Sequence, residues 1–227
     1  MNLRDSRVDI FKKRLDALLA HHTELKLAIY GKKKEQILHS ELAIQLTLQS
    51  VVLWEAFLSD LVLAYVEMNP RKALSEIEGR VQQSVTSKFG RVCARCFRFN
   101  GPRSVNRRTL ARLLDDKGWN ITARTASELS SVANNFLVSR YARQFALDPG
   151  ESEFFVYVVA IRNYLSHQSA GSRAALKVAI AGLSDANNAY FSGTINAIGT
   201  YLKTATPGGF TRAEIIVTRL RALADRL

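Results

Sequence analysis

The chain has 227 residues and a formal net charge of +12, with 47% hydrophobic and 23% charged side chains. At roughly 100–200 residues per domain that length buries a sizeable core, so disorder is excluded, and with 12 Gly and 4 Pro so are collagen-like and low-complexity designs. Two cysteines, Cys93 and Cys96, are too few to staple a chain of this size, which argues against a disulfide-framed secreted fold and for a reducing cytoplasm.

Met1 to Arg14 alternates charges with single apolar residues and lacks the apolar stretch of a secretory signal. Ile10, Leu15, Leu18, Leu19, Leu25 and Leu27 recur at spacings near three and four, predicting a first amphipathic helix closed by Gly31. A second helix is predicted from about Lys33 to Met68. Its apolar residues, from Ile37 to Tyr65, cover most of the circumference, so it is central. Gln45, Gln49, Glu55, Ser59 and Asp60 fall within an arc of roughly 140° on it, leaving one narrow polar strip that faces either water or a site. The same residues interrupt the apolar run too often for a bilayer span, so no membrane partner is expected.

Asn69-Pro70 reads as an N-cap and first helical proline, opening a helix to Phe89 that Gly90 ends. An irregular basic stretch through Pro102 precedes a helix capped by Ser104 and stopped near Gly118. Thr125 to Phe145 is predicted as one further helix. Asp148-Pro149-Gly150 signals a turn, with Glu151 and Glu153 placed where negative charge suits a helix start. Phe154 to Ile161 is apolar and partly β-branched, and the choice between buried strand and helix goes to helix, because no second strand is available to satisfy its ladder. Two helical patterns follow Gly171 to Thr204; Pro207-Gly208-Gly209 breaks the chain, and Thr211 caps a last amphipathic helix. The expectation is an all-α, up-and-down helical bundle, a single domain over 1–227 with a basic helical insertion at 79–118.

The charge is uneven. Residues 1–67 carry 9 basic and 9 acidic side chains, whereas residues 68–117 carry 12 and 4. Between Gly79 and Leu114 there is no acidic residue, while Arg80, Lys88, Arg91, Arg95, Arg98, Arg103, Arg107, Arg108 and Arg112 are all basic. Phe89, Phe97, Phe99 and Trp119 are interleaved or adjacent. Such a segment suits a phosphate backbone with stacking of unpaired bases, and the preference for arginine over lysine favours phosphate recognition. The plainer alternative is a solvated basic face with core phenylalanines.

Ala160-Ile161-Arg162-Asn163-Tyr164-Leu165-Ser166-His167-Gln168-Ser169 places an arginine, then an asparagine, and a histidine five positions after the arginine, at the polar end of an apolar helix. This resembles the HEPN family, all-helical bundles whose ribonuclease members carry an Arg, a polar residue and a His after four to six intervening residues. Arg162, Asn163 and His167 match in order and spacing; the local match covers about sixteen residues, and the long helices before it agree in architecture only. The resemblance implies an endoribonuclease of toxin or defence type, needing no metal or other cofactor. Its partners would be RNA, a second copy of the chain and an antitoxin protein. His167 would take the proton from a ribose 2′-hydroxyl, Arg162 would stabilise the attacked phosphate, and Asn163 would orient one of them. One family variant carries a tyrosine two places after the histidine, which an antitoxin modifies; Ser169 stands there, so that form of control does not carry over.

On an ideal helix, positions 162 and 167 lie about 140° apart, so their convergence requires the helix to end near His167, with Ser166, Gln168, Ser169 and Gly171 as terminators. Glu55 pairs with Arg162 across the bundle or lies exposed on the polar strip. Cys93-Ala94-Arg95-Cys96 lacks the second pair or histidine of a zinc site, and His21, His22 and His39 show no ligand spacing. The rival functional reading is a non-catalytic module that holds nucleic acid or a protein through the same arginines.

Overall fold

The structure, a computed structural model, describes residues 3–96, 111 and 123–227. Every regular element among these residues is helical, apart from one isolated bridge between Ala205 and Thr211. The all-α class is therefore shown. None of the helices described is long and apolar enough to cross a membrane. In chain order they are α1 (Leu3–Ile29), α2 (Glu35–Met68), α3 (Arg71–Cys96), α4 (Ala126–Phe136), α5 (Ser139–Ala142) with a 3-10 turn over Arg143–Phe145, α6 (Pro149–His167), α7 (Ala170–Ala181), α8 (Asp185–Phe191), α9 (Ile198–Lys203) and α10 (Arg212–Arg226).

The chain divides into two compact units. The first comprises residues up to Phe57, Arg124–Ala126 and Leu147–Leu227; the second comprises Leu58–Ala123 and Ser127–Ala146. Helix α2 contributes to both.

In the first unit α1 and α10 run antiparallel. Lys26 meets Glu214 at 2.8 Å, Asp16 meets Arg221 at 3.0 Å and Lys12 meets Asp225 at 2.6 Å, a ladder that steps along the two helices in opposite directions. The Lys12 and Arg221 pairs are exposed, contribute roughly 0–1 kcal/mol each and fix register more than they stabilise, whereas Glu214 is largely covered. Stability comes from the face between: α10 buries Ala213, Ile216, Val217, Leu220, Leu223 and Ala224, while Leu15 of α1 is fully buried. Phe11 of α1 stacks on Phe57 of α2 with centroids 4.5 Å apart and tilts against Trp54 at 5.7 Å. Against α6, Phe191 of α8 packs on Phe154 and Tyr157 at 5.8 and 4.6 Å, and the Arg219 guanidinium from α10 lies 4.6 Å over the Phe154 ring.

The second unit is organised around Tyr65, whose ring stacks on Tyr141 at 4.5 Å and meets Phe145 edge-on at 6.1 Å. The single helix expected over Thr125 to Phe145 is two, with Val138 extended at φ −62°, ψ 150°. A straight helix would turn Tyr141 and Phe145 some 100–140° away from the centre of the face that buries Leu129 and Ala133. The break re-aims them, and all four are buried. Gly90 has φ 80°, ψ 168°, so the helix from Arg71 stops there as the glycine predicts, and a short further piece runs to Cys96. Apart from Ala111, the helix expected from Ser104 to Gly118 lies outside the described residues.

The remaining boundaries follow their caps. Gly31 takes φ 71° after α1. Asp148 and Thr211 each form a capping box, with Glu151 and Glu214 respectively; α10 starts where the sequence places it, and α6 starts earlier, at Pro149. The turn read at Asp148-Pro149-Gly150 is the first turn of α6 itself, since proline suits the first helical position. Between Gly171 and Thr204 there are three helices, not two, the third carrying Gly199.

Gly199 sits where α9 crosses α2, and a Cβ placed on it would lie 2.7 Å from the Ser40 Cβ and 3.1 Å from the Ser40 carbonyl oxygen. Intrinsic helix propensity favours alanine over glycine by about 1 kcal/mol, and the close approach opposes it. Gly199→Ala is expected to lower unfolding free energy by about 1–3 kcal/mol in a urea titration. A stabilised variant would show that the two backbones do not touch.

Candidate functional site

Helix α6 presents two kinds of surface. Taking Phe154 as zero, its buried residues Phe154, Phe155, Tyr157, Val158, Ala160, Ile161 and Leu165 occupy an arc of about 220°, while Asn163 and His167 fall in the remaining gap. Arg162 falls inside the buried arc. A guanidinium among apolar side chains needs a counter-charge, because burying an unpaired ion costs several kcal/mol. Glu55 of α2 supplies it. The Glu55 Oε1 lies 3.3 Å from Arg162 Nε, with both side chains half-buried at 22% and 32% exposure. The pair is ionic contact without hydrogen-bond alignment, since Arg162 Nε is buried and makes no hydrogen bond. Nη1 of Arg162 donates to Asn163 Oδ1 at 3.3 Å.

Of the two alternatives for Glu55, then, the pairing is the one found. The polar strip to which it belongs is graded: Gln45 and Gln49 are exposed, Glu55 is half-buried and Ser59 is buried. Gln45 and Gln49 line a cavity of about 80 Å³ with His21 and His22. His22 is itself buried, and burial pushes its imidazole below the usual histidine range.

His167 is the last residue of α6 and is exposed. Gln168 takes the left-handed conformation at φ 47°, with its amide donating to the Tyr164 carbonyl at 2.8 Å. Ser169 then opens α7 through a capping box with Ser172. The helix thus ends just after His167. Because it stays helical through that residue, Arg162 and His167 keep their separation of about 140° around the axis and roughly 7.5 Å along it. Among the described residues nothing hydrogen-bonds or ion-pairs with the His167 ring. Glu55, Arg162 and Asn163 are brought together; His167 stands one turn further on, accessible from outside.

Arg91 and Arg95 are exposed on the short piece of α3 beyond Gly90, as are the free thiols of Cys93 and Cys96. Phe89 is 67% exposed, which removes it from the core. Arg80 lies 4.9 Å over Phe136 and pairs with Glu76 at 2.9 Å, a structural use of that side chain. Arg98, Arg103, Arg107, Arg108 and Arg112, like Phe97, Phe99 and Trp119, lie outside the described residues. Among the described residues no three His, Cys, Asp or Glu side chains group as a metal site requires. Sequence reasoning passed over Arg212, whose position at the first turn of α10 sets a cation against the helix dipole; that local conflict was the available signal.

Comparison of the chain with protein-family models, with curated proteins and with solved structures found no match.

Burial raises the Glu55 carboxyl above its usual range, and the Arg162 charge only partly opposes this. A carboxyl that binds its proton more tightly when folded adds stability below its unfolded pKa, and that contribution is lost as pH rises through the folded value. The stability of the native chain relative to Glu55→Gln is therefore expected to fall as pH rises from about 4.5 towards neutrality, in parallel chemical-denaturation series. A difference that grows with pH would mean that the Arg162 charge outweighs burial.

Proposed function

We propose that the chain is a metal-independent endoribonuclease of HEPN toxin or defence type, acting in the cytoplasm as a homodimer and held in check by an antitoxin protein. One observation carries this reading. Glu55 holds Arg162 beside Asn163 at the end of α6, and His167 is left free on the next turn.

The chemistry needs few parts. His167 removes the proton from a ribose 2′-hydroxyl, whose oxygen attacks the neighbouring phosphorus. The bond to the 5′-oxygen breaks, leaving a 2′,3′-cyclic phosphate, and the departing oxygen takes a proton from water, to which the protonated His167 then returns the one it removed. Arg162, pre-oriented by Glu55, offers its remaining N–H donors to the phosphorane oxygens, where charge develops. Asn163 steadies the guanidinium. A second copy of the chain, bringing its own Arg162 and His167 to the same cleft, supplies the convergence that one straight helix does not. The arginines of residues 79–118 add sequence-independent affinity for the phosphate backbone.

A second reading has its own support: within one chain, among the described residues, His167 makes no hydrogen bond to Arg162 or Asn163, as in a module that binds RNA without cutting it.

His167→Ala separates the two. Cleavage of single-stranded RNA is expected to disappear, while stability changes by less than about 1 kcal/mol, because the side chain is exposed. EDTA should leave the native activity unaltered. Retained cleavage in the purified variant, or loss with EDTA, would overturn the mechanism. For the arginines, replacing Arg95, Arg98, Arg107 and Arg108 together by Gln should weaken binding alike across RNA sequences and flatten the slope of log affinity against log salt. An unchanged slope would leave the segment a solvated face or a protein-binding surface.

A further inference from the structure

The loop between α8 and α9, with α9 itself and the start of α10, borders an open surface cavity of about 310 Å³, lined mainly by exposed side chains. Its wall contains Thr194, Asn196, Thr200, Thr204, Tyr201 and Arg212. None of these is acidic. The volume lies at the lower end of the roughly 300–1,000 Å³ of small-molecule pockets. It includes none of Glu55, Arg162, Asn163 and His167, so it is separate from the proposed catalytic residues.

Arg212 gives the cavity its charge. Nη2 donates to the Ser192 carbonyl at 2.6 Å, Nη1 donates to the Tyr201 carbonyl at 3.1 Å, and the guanidinium lies 4.5 Å over the Tyr201 ring. These contacts fix its position with two of five donors, and none of them neutralises it. Among the described residues Arg212 has no carboxylate within ion-pair distance, and its Nε is buried without a partner. Glu214, the nearby first-turn carboxylate, is taken by Lys26 and by the Thr211 amide, and does not line the cavity. The guanidinium also stands at the first turn of a fifteen-residue helix, where the dipole is positive. A half-buried cation placed against a dipole of its own sign is unfavourable until an anion arrives.

The other groups narrow the class. Thr204 Oγ1 donates to the Thr200 carbonyl at 2.6 Å, whereas the side chains of Thr194, Asn196 and Thr200 make no hydrogen bond among the described residues. A guanidinium with several hydroxyls and an amide exceeds what the two oxygens of a carboxylate can use, and suits a phosphate that accepts from several directions. No aromatic face is offered to a nucleobase, since Tyr201 is buried and its ring is covered by Arg212. The free hydroxyls and the Asn196 amide match a hydroxylated body. We propose that this cavity binds a small sugar phosphate, its phosphate on Arg212 and its hydroxyls on Thr194, Asn196 and Thr200.

Calorimetric titration of the full chain with ribose 5-phosphate, inorganic phosphate and ribose tests this. Ribose 5-phosphate should bind, inorganic phosphate should compete more weakly, and ribose alone should give no heat. Ala197 is exposed with an extended backbone at φ −133°, so Ala197→Phe fills the cavity without disturbing the core. It should weaken ribose 5-phosphate at least tenfold at an unchanged thermal midpoint, and Arg212→Gln should do the same. If Arg212→Gln unfolds the chain, Ala197→Phe carries the test alone. Absence of ribose 5-phosphate binding would overturn the proposal. So would affinity in Ala197→Phe within twofold of the native chain, which would put the phosphate on the arginines of residues 79–118. Equal affinity for inorganic phosphate would overturn the assignment of a sugar.

Discussion

The first unit depends on the need to cover α6. Seven of its side chains are buried, over about 220° of its circumference, and each large apolar one withdraws roughly 1.5–3 kcal/mol of surface from water. A helix covered that far cannot lie on one neighbour. α7 folds back on it from the turn at Gln168, α8 brings Phe191, and α10 brings the Arg219 guanidinium over Phe154. The same coverage makes Arg162 a problem that α2 solves, because its place in the buried arc allows the charge only with Glu55 alongside. Asn163 and His167, on the uncovered side, are under no such demand.

Helix existence was legible in the residues, and helix direction less so. Gly31, Gly90, Asp148 and Thr211 each punctuate the chain through a local mechanism, either a positive φ or a capping side chain, and such signals survive into the fold. The break at Val138 has no local cause of that kind. Val138 makes no side-chain cap, and what it achieves is the burial of Tyr141 and Phe145 beside Tyr65, more than seventy residues earlier in the chain. The short α9 was hidden for a similar reason: Gly199 weakens a helix locally and is there because Ser40 of α2 leaves no space for a Cβ.

At the candidate site, residue types and spacing singled out Arg162, Asn163 and His167, and the sequence posed two alternatives for Glu55, of which the structure has the pairing with Arg162. Choosing between them required knowing which helix face each residue occupies, which periodicity fixes only relative to an unknown neighbour. The bend back of His167 toward Arg162 was an expectation about where α6 stops, and Gln168 stops it one residue too late for that. The one local signal for Arg212, a cation at a helix start, says nothing of its surroundings; its meaning lies in the lack of a carboxylate partner among the described residues, an attribute of tertiary structure.

The antiparallel pairing of α1 with α10 bears on how the chain is made. Arg221 and its partner Asp16 are 205 residues apart in sequence. At about 5–20 residues per second a ribosome takes roughly 10 to 40 s to travel that distance. Throughout that interval the stripe of α1 that includes Leu15 has no α10 to rest on. Phe11 meets Trp54 and Phe57, both of which are synthesised long before α10, so its packing partners are available early. Closure of the first unit therefore waits until α10 has left the exit tunnel, long after α1 and α2 have met.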